Sequence, residues 1–226
     1  MSLQDHAAKA TAIAAALSFE DAPRLGTRVR EANPAKRALD LALAIPLLIV
    51  LAPFLAAMAS WVWLDSPGPA LFRQRRLGLN GKPFAIFKFR TINVLEDGDR
   101  VAQASKGDAR VTQAGRFLRQ TSLDELPQLL NVIKGQMSLV GPRPHAIAHD
   151  RYYGAIIRDY RERQSVKPGI TGWAQVNGFR GETPTIATMR ARVECDVWYA
   201  QHCSVLLDLK ILFRTVGVVL RRRNAY

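Results

Sequence analysis

Acidic residues are scarce in this 226-residue chain: 19 Asp and Glu face 32 Lys and Arg, a formal charge of +13. That imbalance favours an anionic partner, whether nucleic acid, acidic membrane or a polyphosphate substrate. Cysteine is nearly absent. Cys195 and Cys203 are too few for a disulfide framework or a four-ligand zinc site, which fits a reduced, cytosol-facing protein. The four histidines are scattered, and the i, i+4 pair His145 and His149 has no third metal ligand in view. No internal repeat is visible. The first 23 residues, Ala-rich and polar, lack the charge, apolar core and cleavage site of a signal peptide.

Charge is also missing from one continuous run. "LALAIPLLIVLAPFLAAMASWVWL" holds no ionisable residue between Asp40 and Asp65. As a straight helix it would extend ~36 Å, enough for a ~30 Å hydrocarbon layer. It has no polar face, so a buried helix of a soluble core fits it poorly. Arg28, Arg30, Lys36 and Arg37 precede it, and Arg73, Arg75 and Arg76 follow. Basic flanks on both sides direct both ends to the cytoplasm. Pro46 and Pro53 interrupt the run, and a split at Pro53 leaves arms of ~18 Å, too short to cross singly. The expectation is a helix–break–helix that enters the membrane and returns; a Pro-kinked single span is the rival.

Beyond the apolar run, "SPGPALFRQRRLGLNGKPFAIFKFRT" (66–91) reads as a hairpin turning at Asn80-Gly81. Ile86, Lys88 and Arg90 share one face of its second strand; two cations there suit paired phosphates and equally a solvated face. Residues 93–109 read as a polar loop, and 113–135 as two short helical patterns closed by Gly135. In "KPGITGWAQVNGFRGE" (167–182) four glycines imply backbone lying close to something else. Trp173, Gln175 and Asn177 lie between them: a ring and two amides able to read a nucleobase, or parts of a packed loop. Residues 185–200 read as a polar helix. Residues 204–223 read as a basic amphipathic helix suited to a membrane interface, or to a core with a basic tail.

The most informative stretch is "SLDELPQLLNVIKGQMSLVGPRP" (122–144). Ser122-x-x-Glu125 matches a capping box. Pro127 opposes that reading, because it would fall at the fifth helical position; as a first helical residue it leaves Asp124 and Glu125 outside the helix. Pro142 and Pro144 stiffen the backbone around Arg143, which makes its guanidinium a preorganised fork for phosphate oxygens.

These motifs carry a resemblance. Residues 36–220, through "KRALDLALAIPLLIVLAPFL", "SPGPALFRQRRLG", "FKFRT", the 122–144 stretch, "KPGITGWAQVNG" and "DLKI", closely resemble the bacterial sugar transferases, monotopic polyprenyl-phosphate phosphoglycosyl transferases. The resemblance implies a mainly helical α+β protein with a re-entrant N-terminal helix, a small β-hairpin and interfacial amphipathic helices. Its segments would be a flexible extension (1–33), the membrane helix (34–65) and a catalytic domain (66–226) on the cytoplasmic face of the bacterial inner membrane. It implies transfer of a sugar 1-phosphate from a UDP-sugar to polyprenyl phosphate with release of UMP. Asp124 matches the family nucleophile, Glu125 the Mg²⁺ ligand, and Arg119 and Arg143 family basic positions. Lys88, Arg90, Trp173, Gln175 and Asn177 complete the expected substrate contacts, and membrane phospholipid is an expected partner. A homo-oligomer is compatible with this reading.

The chemistry of the residues agrees. A carboxylate attacks phosphorus without a base, and Mg²⁺ joins carboxylate to phosphate oxygens. "NGFRGET" (177–183) resembles members that use UDP-glucose or UDP-galactose, which favours a neutral hexose over an acetamido sugar. Nucleic-acid binding would explain the charge but neither the Asp-Glu pair nor the apolar run. One departure stands out: many members carry Ser-Pro at the membrane break, where this chain has Ala52-Pro53, with no hydroxyl to bond the Ile49 carbonyl that Pro53 frees.

Overall fold

Asn33 opens the first helix, accepting hydrogen bonds from the amides of Ala35 (3.0 Å) and Lys36 (3.4 Å). Pro34 follows at a position where its missing N–H has no intrahelical role. The structure is a computed structural model that describes residues 33–93, 108–181 and 183–220. The expected flexible extension, most of the polar loop and the terminal arginines lie outside the described residues. Helix α1 spans Pro34–Asp65, 32 residues containing both prolines. The helix continues through Ala52-Pro53, so the two arms expected on either side form one element. Proline's fixed φ is itself helical, and Pro53 removes only one backbone bond. Within α1 only Asp40, Ala44 and Val62 are buried. Its length and composition are compatible with monotopic membrane association.

Both ends of α1 are fastened to the rest of the protein. At the start, Lys36 Nζ donates to the Val140 carbonyl (3.0 Å) and to Asp208, and Arg37 reaches the carbonyls of Val132 and Ile133. Asp40 Oδ1 accepts from Ser138 Oγ and the Leu139 amide, both at 2.9 Å. At the far end, Asp65 Oδ2 accepts from the Ala114 amide at 3.0 Å. Arg90 donates to the carbonyls of Val62 (3.2 Å), Ser66 (2.6 Å) and Pro67 (2.7 Å), closing the helix's last turn.

The expected hairpin forms from β1 (Leu71–Leu77) and β2 (Pro83–Phe89), antiparallel with Leu77 opposite Pro83. Asn80 (φ 55°) and Gly81 (φ 71°) take the left-handed conformation that a tight hairpin turn demands and these residues tolerate. Helix α2 (Gln113–Thr121) leads into a 3₁₀ turn at Leu123–Gln128 and then α3 (Leu129–Ile133). Ser122 is left-handed (φ 58°) and its side chain caps nothing, so the capping box does not form. Asp124, Glu125 and Pro127 all lie inside the 3₁₀ turn, so Pro127 is not the first residue of α3 as expected; the acids still precede that helix.

A second sheet was not foreseen: β3 (Ser138–Val140) pairs in parallel with β4 (Gly169–Thr171). The glycines explain it. A Cβ on Gly169 would lie 2.0 Å from the Gly141 nitrogen, and one on Gly172 would lie 2.2 Å from the Gly141 oxygen. The glycine-rich stretch therefore packs its backbone directly against the end of β3. The connection from β3 to β4 runs through α4 (Ile147–Ile156) and a 3₁₀ turn at Tyr160–Ser165. The short helix α5 (Trp173–Val176), α6 (Ile186–His202) and α7 (Val205–Leu220) complete the chain. The main core joins Phe84 and Ile86 of the hairpin, Leu129 and Val132 of α3, Val140, Tyr199 and Ile211, with Ala44 of α1 set into it.

Candidate active site

Two carboxylates adjacent in sequence meet opposite surroundings. Lys88 Nζ donates to Glu125 Oε1 at 2.9 Å, and Arg143 grips both Glu125 oxygens, Nη1 to Oε2 at 2.9 Å and Nη2 to Oε1. Asp124 makes no hydrogen bond or ion pair among the described residues, and it lines the same cavity of about 510 Å³.

The electrostatics separate them further. Burial raises the Asp124 carboxyl to about 6, helped by the neighbouring Glu125 charge and opposed by Lys88, Arg143 and Arg119. Burial also disfavours the charged form of Glu125, but Arg143 and Lys88 outweigh it and hold Glu125 well below the usual carboxylate range. Burial lowers Lys88, while Glu125 pulls the other way. The result is one carboxylate locked into an ion-pair cluster beside one presented to the cavity.

The backbone around each player is fixed. Phe72, Gln74, Arg76 and Lys88 reach the cavity from one face of the hairpin. Asn131 of α3, fully buried, bonds the open edge of β2: its Oδ1 accepts from the Phe87 amide (3.0 Å) and its Nδ2 donates to the Ala85 carbonyl (2.7 Å). That clamp sets Lys88 against the turn carrying Glu125. The Pro-Arg-Pro loop is held at every carbonyl. Pro142 receives the Gly169 amide (2.9 Å), Arg143 receives Arg163 Nη2 (2.5 Å), and Pro144 receives Arg76 Nη1 (3.3 Å).

The sequence-derived site residues divide. Asp124, Glu125, Lys88, Arg119, Arg143 and Gln175 line one cavity. Arg90 borders it too, but its guanidinium is occupied by the carbonyls that end α1. Gln175 donates its amide to the Ile170 carbonyl (2.9 Å). Trp173 and Asn177 do not line the cavity. Trp173 stacks on Trp198 (centroids 4.8 Å apart) beneath Arg214, and Arg214 also donates to Asn177 Oδ1 (3.0 Å).

Other residues here escape sequence reasoning. Arg76, His145, His149, Arg180 and Arg192 all line the cavity. Behind it, buried Arg163 pairs with buried Asp196 (2.8 Å), and His145 Nδ1 meets Tyr160 Oη (2.6 Å) and Arg163 Nη1 (3.0 Å). Arg163 and Asp196 lie 33 residues apart, so no local pattern announces them. Arg76 sits in a basic run that reads as surface charge.

Mg²⁺ needs few protein ligands, typically one or two carboxylates together with substrate phosphates. Adjacent Asp124 and Glu125 in a cation-rich cavity fit that requirement. Among the described residues no cluster of three or more His, Cys, Asp or Glu offers a dedicated cage.

An unpartnered carboxylate among cations, in a protein whose first helix is apolar and long enough for a membrane, is the kind of arrangement that suits phosphoryl chemistry. Residues 31–222 match the family model described as bacterial sugar transferase, and the chain belongs to that family. It is 53% identical over 204 residues to UDP-glucose:undecaprenyl-phosphate glucose-1-phosphate transferase of Caulobacter vibrioides, covering 90% of this chain and 74% of that protein. It is 54% identical over 191 residues to the Escherichia coli protein of the same name, covering 84% of this chain and 41% of that protein. It is 45% identical over 195 residues to exopolysaccharide production protein PSS of Rhizobium leguminosarum, covering 84% of this chain and 98% of that protein.

Proposed function

We propose that the protein transfers a hexose 1-phosphate, with UDP-glucose as the first choice of donor, to undecaprenyl phosphate and releases UMP. The observation that carries this reading is the contrast between unpartnered Asp124 and fully engaged Glu125 in one cation-lined cavity. The relatives' names supply the substrates. In the first step an Asp124 oxygen attacks the phosphorus that bears the sugar. The bond from that phosphorus to the UMP oxygen breaks, and UMP leaves with the electron pair. An oxygen of the acceptor phosphate then attacks the same phosphorus, displacing the Asp124 carboxylate and giving a lipid-linked diphosphosugar. Lys88, Arg119 and Arg143 offset the charge that builds on the phosphoryl oxygens. Mg²⁺ would supply charge neutralisation of the diphosphate when bound, with Glu125 as its ligand in exchange for part of the contact it makes with Lys88 and Arg143. The cavity's protein groups orient both substrates.

The same reading makes the protein monotopic, with α1 re-entrant and the cavity at the cytoplasmic face of the inner membrane. Support comes from the two fastened ends: Lys36 and Asp40 bond residues 138–140 and Asp208, while Asp65 and the Val62 carbonyl bond Ala114 and Arg90. Both partner sets belong to one packed domain, which favours both ends lying on one side. The exposed Ile49 and Val50 near the middle of α1 would then lie in lipid. The test is UMP release by the purified protein from a panel of UDP-sugars with undecaprenyl phosphate in detergent. UDP-glucose should give the highest kcat/KM. Absence of UMP from every donor would overturn the assignment.

A further inference from the structure

Helix α7 has two apolar faces with different neighbours. Leu206, Leu209, Phe213 and Val216, spaced 3, 4 and 3 residues apart, form an exposed stripe; Phe213 is 83% accessible. About half a turn round the helix lie Asp208, Ile211, Thr215 and Val218, with Val219 beside them. Asp208 and Ile211 are buried, and Thr215 Oγ1 meets Thr171 Oγ1 at 2.7 Å. Arg214 fixes the helix to α5 through the Val176 carbonyl at 3.1 Å. Past that anchor the inner face opens into the active-site cavity: Thr215, Val218 and Val219 line it, next to Ile170 and Val176.

The cavity is therefore chemically divided. One part carries Asp124, Glu125 and their cations; the other is a largely aliphatic wall of Ile170, Val176, Val218 and Val219, whose polar neighbours Thr171, Thr215 and Gln175 bond one another or backbone carbonyls. A nucleotide and a sugar offer hydroxyls, ring nitrogens and phosphates, which a wall of valine and isoleucine cannot bond. A branched hydrocarbon matches such a wall through apolar contact alone. The outer stripe suits the same helix to the membrane interface, one helix thickness from the cavity. Phe117 of α2, also exposed, packs at a tilt against Trp61 of α1 (centroids 5.5 Å apart), while Arg119 and Thr121 of that helix line the cavity.

We infer that Val218 and Val219 of α7, with Ile170 and Val176, form the acceptor subsite, along which the first isoprene units of the polyprenyl phosphate lie while its phosphate reaches Asp124. The inference rests on the proposed function and adds the location of the acceptor to it. Donor and acceptor then occupy different parts of one cavity, and the two half-reactions have separable determinants.

Separating the half-reactions tests this in the full-length protein. Sugar-phosphate labelling and UMP release from UDP-glucose without acceptor report the donor step; turnover against undecaprenyl phosphate and against farnesyl phosphate reports the acceptor step. Val218→Asn and Val219→Asn should raise the acceptor KM by roughly tenfold and leave the donor step within about twofold. The gentler Val218→Ala/Val219→Ala double variant, which favours helix, should move the acceptor KM in the same direction. Val216→Asn on the outer face should leave acceptor KM in detergent unchanged. Equal loss in both half-reactions, or unchanged acceptor KM in the asparagine and alanine variants, overturns the subsite. A wild-type protein that forms no labelled species and releases no UMP refutes the underlying function instead.

Discussion

Asn131 and Phe87 are joined by a side-chain-to-backbone hydrogen bond of 3.0 Å, and the same amide bonds Ala85 at 2.7 Å. A side chain of α3 thereby stands in for a missing strand at the edge of β2. Removing it leaves a part-buried N–H and a part-buried C=O without partners, each costing up to about 1–3 kcal/mol. Asn131→Ala should lower stability by roughly 2–5 kcal/mol, seen as an earlier midpoint in detergent-solubilised denaturant titration. Its kcat should fall as well, because Lys88 loses its register against Glu125. A variant with normal stability would mean that water or neighbouring groups replace the clamp.

Arg143 contacts Glu125 through both terminal nitrogens, a geometry only a planar fork can provide. Arg143→Lys keeps the charge and loses the fork. Its kcat/KM should fall more than about tenfold, over ~1.4 kcal/mol of transition-state stabilisation. Near-normal kinetics would reduce Arg143 to a point charge.

Glu125→Gln removes the anion that both Lys88 and Arg143 satisfy. This variant should show a higher Mg²⁺ requirement or no turnover, and EDTA should silence the wild type. Metal-independent turnover by the wild type would remove Mg²⁺ from the reaction.

Asp150 gives a pH prediction away from the chemistry. Burial raises it from 3.8 to about 6 despite Arg163 nearby, and its Oδ2 has no hydrogen-bond partner. A carboxyl with a raised folded-state pKa binds more protons folded than unfolded between those values. Stability should therefore fall as pH rises from about 4 to about 6 and then level, by up to about 3 kcal/mol at 1.36 kcal/mol per unit. Asp150→Asn should remove that part of the slope. An unchanged slope in the variant would mean that Asp150 is ionised throughout this range.

Much of the site was legible in local sequence. Asp124, Glu125 and Arg143 lie within 20 residues of one another, and Pro127 and Pro142–Pro144 constrain them locally. The Asn80-Gly81 turn was equally local. What could not be read depends on tertiary contact. Arg90 continues the alternation of a strand face, yet the end of α1 supplies carbonyls that capture it. Trp173 and Asn177 share a stretch with Gln175, but α5 is a single helical turn that directs them toward Arg214 and Trp198 instead of the cavity. The parallel β3–β4 pair joins three-residue segments too short to carry a period. The continuity of α1 through Pro53 also exceeded what proline alone implied.

Topology has a direct test. With Cys195 and Cys203 replaced by serine, single cysteines near residues 30 and 75 should both resist an impermeant thiol reagent in intact cells. Labelling at residue 30 alone would establish a spanning helix and leave the chemistry untouched.

The central claim is that Asp124 becomes covalently bonded to the sugar phosphate. Incubation with UDP-[sugar-labelled] donor, without acceptor, followed by denaturation and peptide mapping should place the label on the peptide containing Asp124. Addition of undecaprenyl phosphate before denaturation should discharge it. Asp124→Asn should abolish both labelling and turnover. Full turnover by Asp124→Asn, or label retained on that variant, would contradict the account.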